Sequence, residues 1–350
     1  MKSYQKANSP KRKLIVGILV VIGFVAALLA FKFYRVFMAP NTLSEVKVLY
    51  IKTGSNIDDV NKSILEEGLL KDFSTFVTAS IRMDLAEKIK PGRYEIKPGM
   101  NNRTLINKIK SGSQDPVQLK LQNYRKKGNF IAYLAKQLEA DSVSLSKVLD
   151  SLPLLQEKGF NKDNNYVMYI PNTYQVYWNV KPLDFFERMF KEYQNFWNAE
   201  KKSKAKELGL SPIEVGILAS IVDAEALFDK EMPTIAGLYL NRLNRGILLQ
   251  ADPTVIFANN DFTVKRVTNA LLQVNSPYNT YKNRGLPPGP IMMPSVAALN
   301  AVLNREKNNY IYMCAKEDFS GYHNFAETVE QHNINAKKYR DALNKRNIYR

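Results

Sequence analysis

The sequence predicts an α+β protein led by a membrane-spanning helix, and three observations predict it. An uncharged apolar run of 18 residues, Leu14 to Phe31, follows a basic start. Between residues 44 and 122, short alternating segments interleave with capped helical ones. From 123 to about 345, the apolar spacing is mostly helical. At 350 residues there is room for more than one domain and a sizeable core.

Residues 1–13 hold Lys2, Lys6, Lys11, Arg12 and Lys13 and no acid. The apolar run after them is long enough to cross a bilayer, with Lys32 and Arg35 able to snorkel at its far end. A transmembrane helix over 14–34 is expected, with the 1–13 tail in the cytoplasm and the rest outside. A cleavable signal peptide is the competing reading. The run is long for such a segment, and no small-residue cleavage site precedes FKFYRVFMAP, so a retained single-pass anchor is favoured.

The chain carries a net charge of +17, of which the tail supplies +5. A basic balance fits nucleic acid or an anionic surface. Placement outside the membrane argues against nucleic acid, as does the lack of a basic stripe interleaved with aromatics. The lysines and arginines are instead dispersed along solvated helix faces (KKSKAKE, LNKRN). One cysteine, Cys314, excludes an internal disulfide framework, and with two histidines no metal site or cofactor is expected.

Over 44–122, VKVLYI alternates and is β-branched, SNIDDVNKSILEEG reads as a capped helix ending at Gly68, and GRYEI is a short strand. MNNRTLINKIKSG reads as a helix stopped by Gly112, and VQLKLQ as another strand. Further on, FIAYLAKQLEA, SLSKVLDSL and LDFFERMFKEYQNFWNAEKKSKAKELG read as helices. The aromatic segment YVMYIPNTYQVYWN between them suits core packing or stacking on sugar faces.

The most informative stretch is Ser211–Phe257. Ser211 and Glu214 form a capping box, with Pro212 at the first helical position. The helix that follows is apolar almost all round, the mark of a buried helix, yet it carries Asp223 and Glu225. At about 100° per residue Glu225 projects between Ile221 and Leu218, and Asp223 points to the other side. A carboxyl among aliphatic side chains has its charged form disfavoured and can donate a proton near neutral pH. A buried ion pair with Arg242 or Arg245 accounts for Glu225 equally well. A second helix is predicted from Lys230 to Arg245, stopped by Gly246. Asp252-Pro253 then reads as an N-cap and first helical residue, and capping alone suffices for Asp252. In SPYNTYKNRGLPPGPI, Asn279 and Tyr281 can donate to sugar hydroxyls or an N-acetyl group, and loop bracing serves each as well. The same holds for Gln250, and for His323 and His332 as braces of a cleft.

Four blocks carry a family resemblance: ILASIVDAEA, YLNRLNRGILLQADPTVIF, SPYNTYKNRGLPPGPIMMPS (276–295) and YIYMCAKEDFSGYHNFAETVEQHN (310–333). Together, in this order, they resemble the YceG-like, or endolytic murein transglycosylase, family, over most of the chain from about residue 45. The resemblance implies a LysM-like, glycan-binding subdomain at 44–122 and a lysozyme-like helical catalytic domain at 123–345. It implies Glu225, second acid of an ExE-type pair that begins here with Asp223, as the catalytic residue. Gln250, Asp252, Asn279 and Tyr281 are the candidate substrate-binding residues. The implied reaction is cleavage of the MurNAc-β-1,4-GlcNAc bond of peptidoglycan glycan strands, giving 1,6-anhydro ends. Cell-wall synthases are the implied partners, and the cell membrane the implied location. Two departures stand out: Asn172 where the family tends to have an acid (PNTY for PDTY), and LKLQNYR at 119–125 where a Glu-Gly pair is frequent. A lysozyme-like hydrolase using Asp252 as second acid, and a non-catalytic glycan-binding scaffold, are the alternatives.

Overall fold

Helix α1 (Pro10–Phe33) starts the computed structural model, which describes residues 10–264 and 267–346. Residues 1–9 of the predicted cytoplasmic tail lie outside the described residues. The helix continues through a π-helical turn, Tyr34–Met38. The stretch Lys11–Met38 contains an 18-residue window with a mean hydropathy of 3.1 and is long and apolar enough to cross a membrane. The side chains from Leu14 to Phe33 are exposed, whereas Val36 in the π-turn is buried. The chain thus changes from a lipid-compatible surface to a protein core within one turn.

The chain divides into two units. One runs through Val117 and includes Val176–Asn179. In it β1 (Lys47–Ile51) and β2 (Gly92–Ile96) pair antiparallel, with Leu49 opposite Tyr94 and Ile51 opposite Gly92. Helices α2 (Ile57–Glu66), α3 (Phe73–Arg82) and α4 (Asn102–Ser111) complete it. Val36, Leu49, Tyr94, Phe76, Ile64 and Ile106 meet in one core. The strands and two of these helices are those the periodicity predicts. Gly112 ends α4 at φ +71, where a side chain would be strained. Helix α3 went unread, although Asp72 caps it by accepting from the Thr75 N–H.

The other unit holds all but Val117 and Val176 of a two-stranded sheet in which β3 (Val117–Lys120) pairs with β4 (Thr173–Val176). Helices α5 (Lys127–Gln137), α6 (Ser142–Leu149), α7 (Leu152–Glu157), α8 (Pro182–Phe196) and α9 (Ala199–Glu207) follow. The single helix expected over 183–209 is two, because Asn198 turns its side chain onto the Lys201 N–H and starts α9. The aromatic segment packs inward: Tyr166, Tyr169 and Tyr174 are buried, and Tyr169 lies 4.9 Å from Phe130. Core packing accounts for these three rings, whereas Tyr177 at the end of the segment is exposed. Asn172 folds back so that its Oδ1 accepts from the Thr173 N–H.

The centre of this unit is α10 (Pro212–Glu225), buried from Val215 through Val222. Around it pack α11 (Met232–Asn244), α12 (Asp252–Asn259) and α13 (Val296–Leu303). The antiparallel hairpin β5 (Tyr312–Ala315) and β6 (His323–Ala326), then α14 (Val329–Lys345), close the chain. The architecture is α+β and mainly helical.

Candidate active site

Helix α10 begins as the capping chemistry dictates. The Glu214 N–H donates to Ser211 Oγ at 3.2 Å, and the Ser211 N–H donates to Glu214 Oε2 at 2.8 Å. It ends at Glu225, because Ala226 adopts extended backbone. Glu225 therefore sits where the helix dipole is negative, which disfavours a carboxylate. Its carboxyl lines a cavity of about 360 Å³ with Tyr239, Arg242, Gln250, Asp252 and Tyr281. The Tyr239 hydroxyl donates to Glu225 Oε1 at 2.9 Å. Burial raises the carboxyl to about 7; the Tyr239 bond opposes the rise and the Asp252 charge adds to it. At neutral pH this group is part protonated, the condition for a general acid.

The ion-pair reading of Glu225 fails. Arg242 donates elsewhere, to the Leu249 carbonyl at 3.1 Å and to Gln250 Oε1 at 2.8 Å, and its guanidinium lies over the Tyr312 ring. Arg242 thereby holds Gln250, whose φ of +54 is a left-handed backbone few non-glycine residues adopt. Asp252 also departs from its expected role. Ala251 occupies the N-cap position, and no side chain caps α12. Asp252 instead accepts a 2.6 Å hydrogen bond from the Tyr281 hydroxyl at the cavity wall.

Asn279 does not reach the cavity, which corrects its assignment as a substrate-binding residue. It is fully buried, and its amide donates to the carbonyls of Leu272 and Val274, both at 2.9 Å. Its oxygen accepts from the Tyr281 N–H at 3.0 Å. Its donors are consumed in shaping the loop that presents Tyr281. Asp223 points away from Glu225, as the helical period requires, and accepts from the Ser295 N–H at 2.7 Å. Burial raises its carboxyl, and the Ser295 and Asn123 bonds oppose that.

The opposite wall comes from the hairpin and α14. His323 Nδ1 lies 2.8 Å from Glu231 Oε2, and the His323 N–H donates to Glu231 Oε1 at 2.7 Å. This pair fastens β6 to the start of α11. His332 stacks on Tyr312 at 5.2 Å, and burial lowers its basicity. Both histidines line the cavity, as does Cys314. Sequence reasoning missed Tyr239, Glu231 and Tyr312. Of these only Tyr239 left a signal, a hydroxyl on the otherwise apolar face of IAGLYL.

The geometry can be set beside known proteins. The YceG-like family matches residues 49–338. An endolytic murein transglycosylase of Bacillus subtilis is 26% identical over 312 residues, 85% of each chain. One of Streptococcus pneumoniae is 26% identical over 325 residues, covering 83% of this chain and 57% of its own length. The crystal structure of a YceG-like protein of Listeria monocytogenes superposes with a TM-score of 0.55 at 25% identity, over 83% of this chain and 99% of that one. A match that runs from β1 into α14 and takes in every wall of the cavity leads to one conclusion: this chain belongs to the YceG-like family.

Proposed function

We propose that the chain is a membrane-anchored endolytic peptidoglycan transglycosylase in which Glu225 is both acid and base. One observation carries the reading: a carboxyl raised to about 7, at the wall of a cavity lined by hydrogen-bonding side chains. The relatives named endolytic murein transglycosylase supply the substrate and reaction type. Protonated Glu225 donates to the glycosidic oxygen as the bond from the MurNAc C1 breaks. The carboxylate then takes the proton of the MurNAc C6 hydroxyl while that oxygen closes onto C1. No water is consumed, and the product ends in a 1,6-anhydro sugar. One carboxyl suffices because the substrate brings its own nucleophile, whereas ordinary glycosidases place two carboxyls about the bond. Gln250, Asp252 and Tyr281 bind sugar hydroxyls, with Arg242 and Tyr239 holding the polar groups in place.

The same reading takes the first unit as LysM-like and glycan-binding, and the α10 region as a lysozyme-like core. The basic residues of the 1–13 tail put the N-terminus in the cytoplasm and the cavity outside, beside cell-wall synthases as partners. Because Asp252 shares the cavity, a hydrolase is the nearest rival. Mass spectrometry of digested sacculi separates them. Anhydro ends, lighter by one water, are expected; reducing ends would refute the transglycosylase, and bound but uncut sacculi would leave only a scaffold.

A further inference from the structure

A second cavity, of about 320 Å³, opens in the same unit at the other end of α12. Its walls are apolar and aromatic, chiefly Tyr166, Phe257, Phe262, Tyr278 and Ile291. Arg125, Lys126 and Lys162 stand at it. The Arg125 guanidinium lies 5.7 Å from the Phe262 ring centroid and the Lys126 ammonium 4.7 Å, so one ring gathers two cations. Lys127 is already committed, to Asp150 and to Asn165. Among the described residues, Arg125, Lys126 and Lys162 have no carboxylate within ion-pair reach. Asp163 is the acid in the lining, and Asp261 is held below the usual carboxylate range, by its Thr263 bonds first and by the nearby Lys126 charge to a lesser degree.

The local helix sharpens the imbalance. Lys126 is the N-cap residue of α5, no side chain caps that end, and no acid lies in its first turn. Cations at the positive end of a helix repel the dipole, which an anion from outside would offset. The walls are too large and too apolar for a bare inorganic ion. They fit an organic group that carries a carboxylate at one end.

The two cavities share elements. Asp252, the first residue of α12, lines one, and Phe257, near its end, lines the other. The helix is about 12 Å long at ~1.5 Å per residue. Tyr281 and Tyr278, on one loop, face the first and second cavity respectively. We propose that the second cavity binds the carboxylate-bearing peptide substituents of the glycan strand whose backbone occupies the first. This rests on the peptidoglycan reading above and adds that the enzyme selects strands still carrying their peptides.

The test uses the full chain in detergent and two substrates: uncrosslinked glycan strands with peptides, and the same strands stripped of peptide by an amidase. The R125A/K126A/K162A variant should raise KM on peptide-bearing strands by about tenfold, the size of one charge-assisted contact. Its kcat, and its KM on stripped strands, should stay as in the parent. R125K/K126R/K162R should restore the low KM. Equal losses on both strands, or no loss, would overturn the proposal. Equilibrium binding of the E225Q chain to both strands gives a readout free of turnover. A chain that cuts neither strand yet prefers the peptide-bearing one through these cations sinks the reaction and keeps the site. Competition by phosphatidylglycerol vesicles through the same cations, without a peptide preference, would assign a lipid phosphate instead and overturn it.

Discussion

The pairing of Glu225 with Tyr239 turns one side chain into a pH-dependent device. Replacing Glu225 with Gln should lower kcat by about 10²–10⁴-fold, the usual worth of a positioned acid, while binding of sacculi persists. Rate should fall as pH rises through about 7, since only the protonated carboxyl donates. Tyr239→Phe removes the bond that opposes the rise, so the alkaline limb of the profile should move to higher pH. The sign for stability follows from proton binding. The folded carboxyl holds its proton more tightly than the unfolded one, so stability should fall as pH climbs from about 4.5 to about 7. Thermal melts of E225Q should lack the part of that fall due to this group, and an unchanged slope would count against the buried acid.

Among elements, α10 was the most legible, because its cap, its proline and its apolar run are local features. Ser211→Ala should cost about 1 kcal/mol in urea unfolding, through the lost bond to the Glu214 N–H. The period of α10 also set Glu225 and Asp223 on opposite sides, as found. What the sequence left hidden are contacts between elements. Tyr239 meets Glu225, and Tyr281 meets Asp252, only after α11 and the 276–295 loop fold against their neighbours. Asp252 misled because aspartate before proline has the same signature whether or not it caps. Asn279 misled because a buried amide bracing its own loop looks, in sequence, like an amide offered to a ligand.

At the scale of the whole molecule, the core of the first unit reaches back to the π-turn that ends the apolar helix. Val36 belongs to that unit's core, and the buried Asn102 amide donates to the Val36 carbonyl at 2.8 Å. A chain beginning at residue 34 should therefore melt higher than one beginning at residue 40, which loses Val36 and strands the Asn102 donor. Identical melting temperatures would show that the π-turn contributes nothing to the core. The same π-turn has a mechanical meaning. With α1 in a bilayer, the segment that leaves the lipid is already bolted into folded protein, so there is no slack leash. The first unit would stand at a set height above the bilayer, like a post fixed at its base. A flexible spacer of about twenty glycine and serine residues inserted between Phe33 and Tyr34 would free that unit from its fixed height.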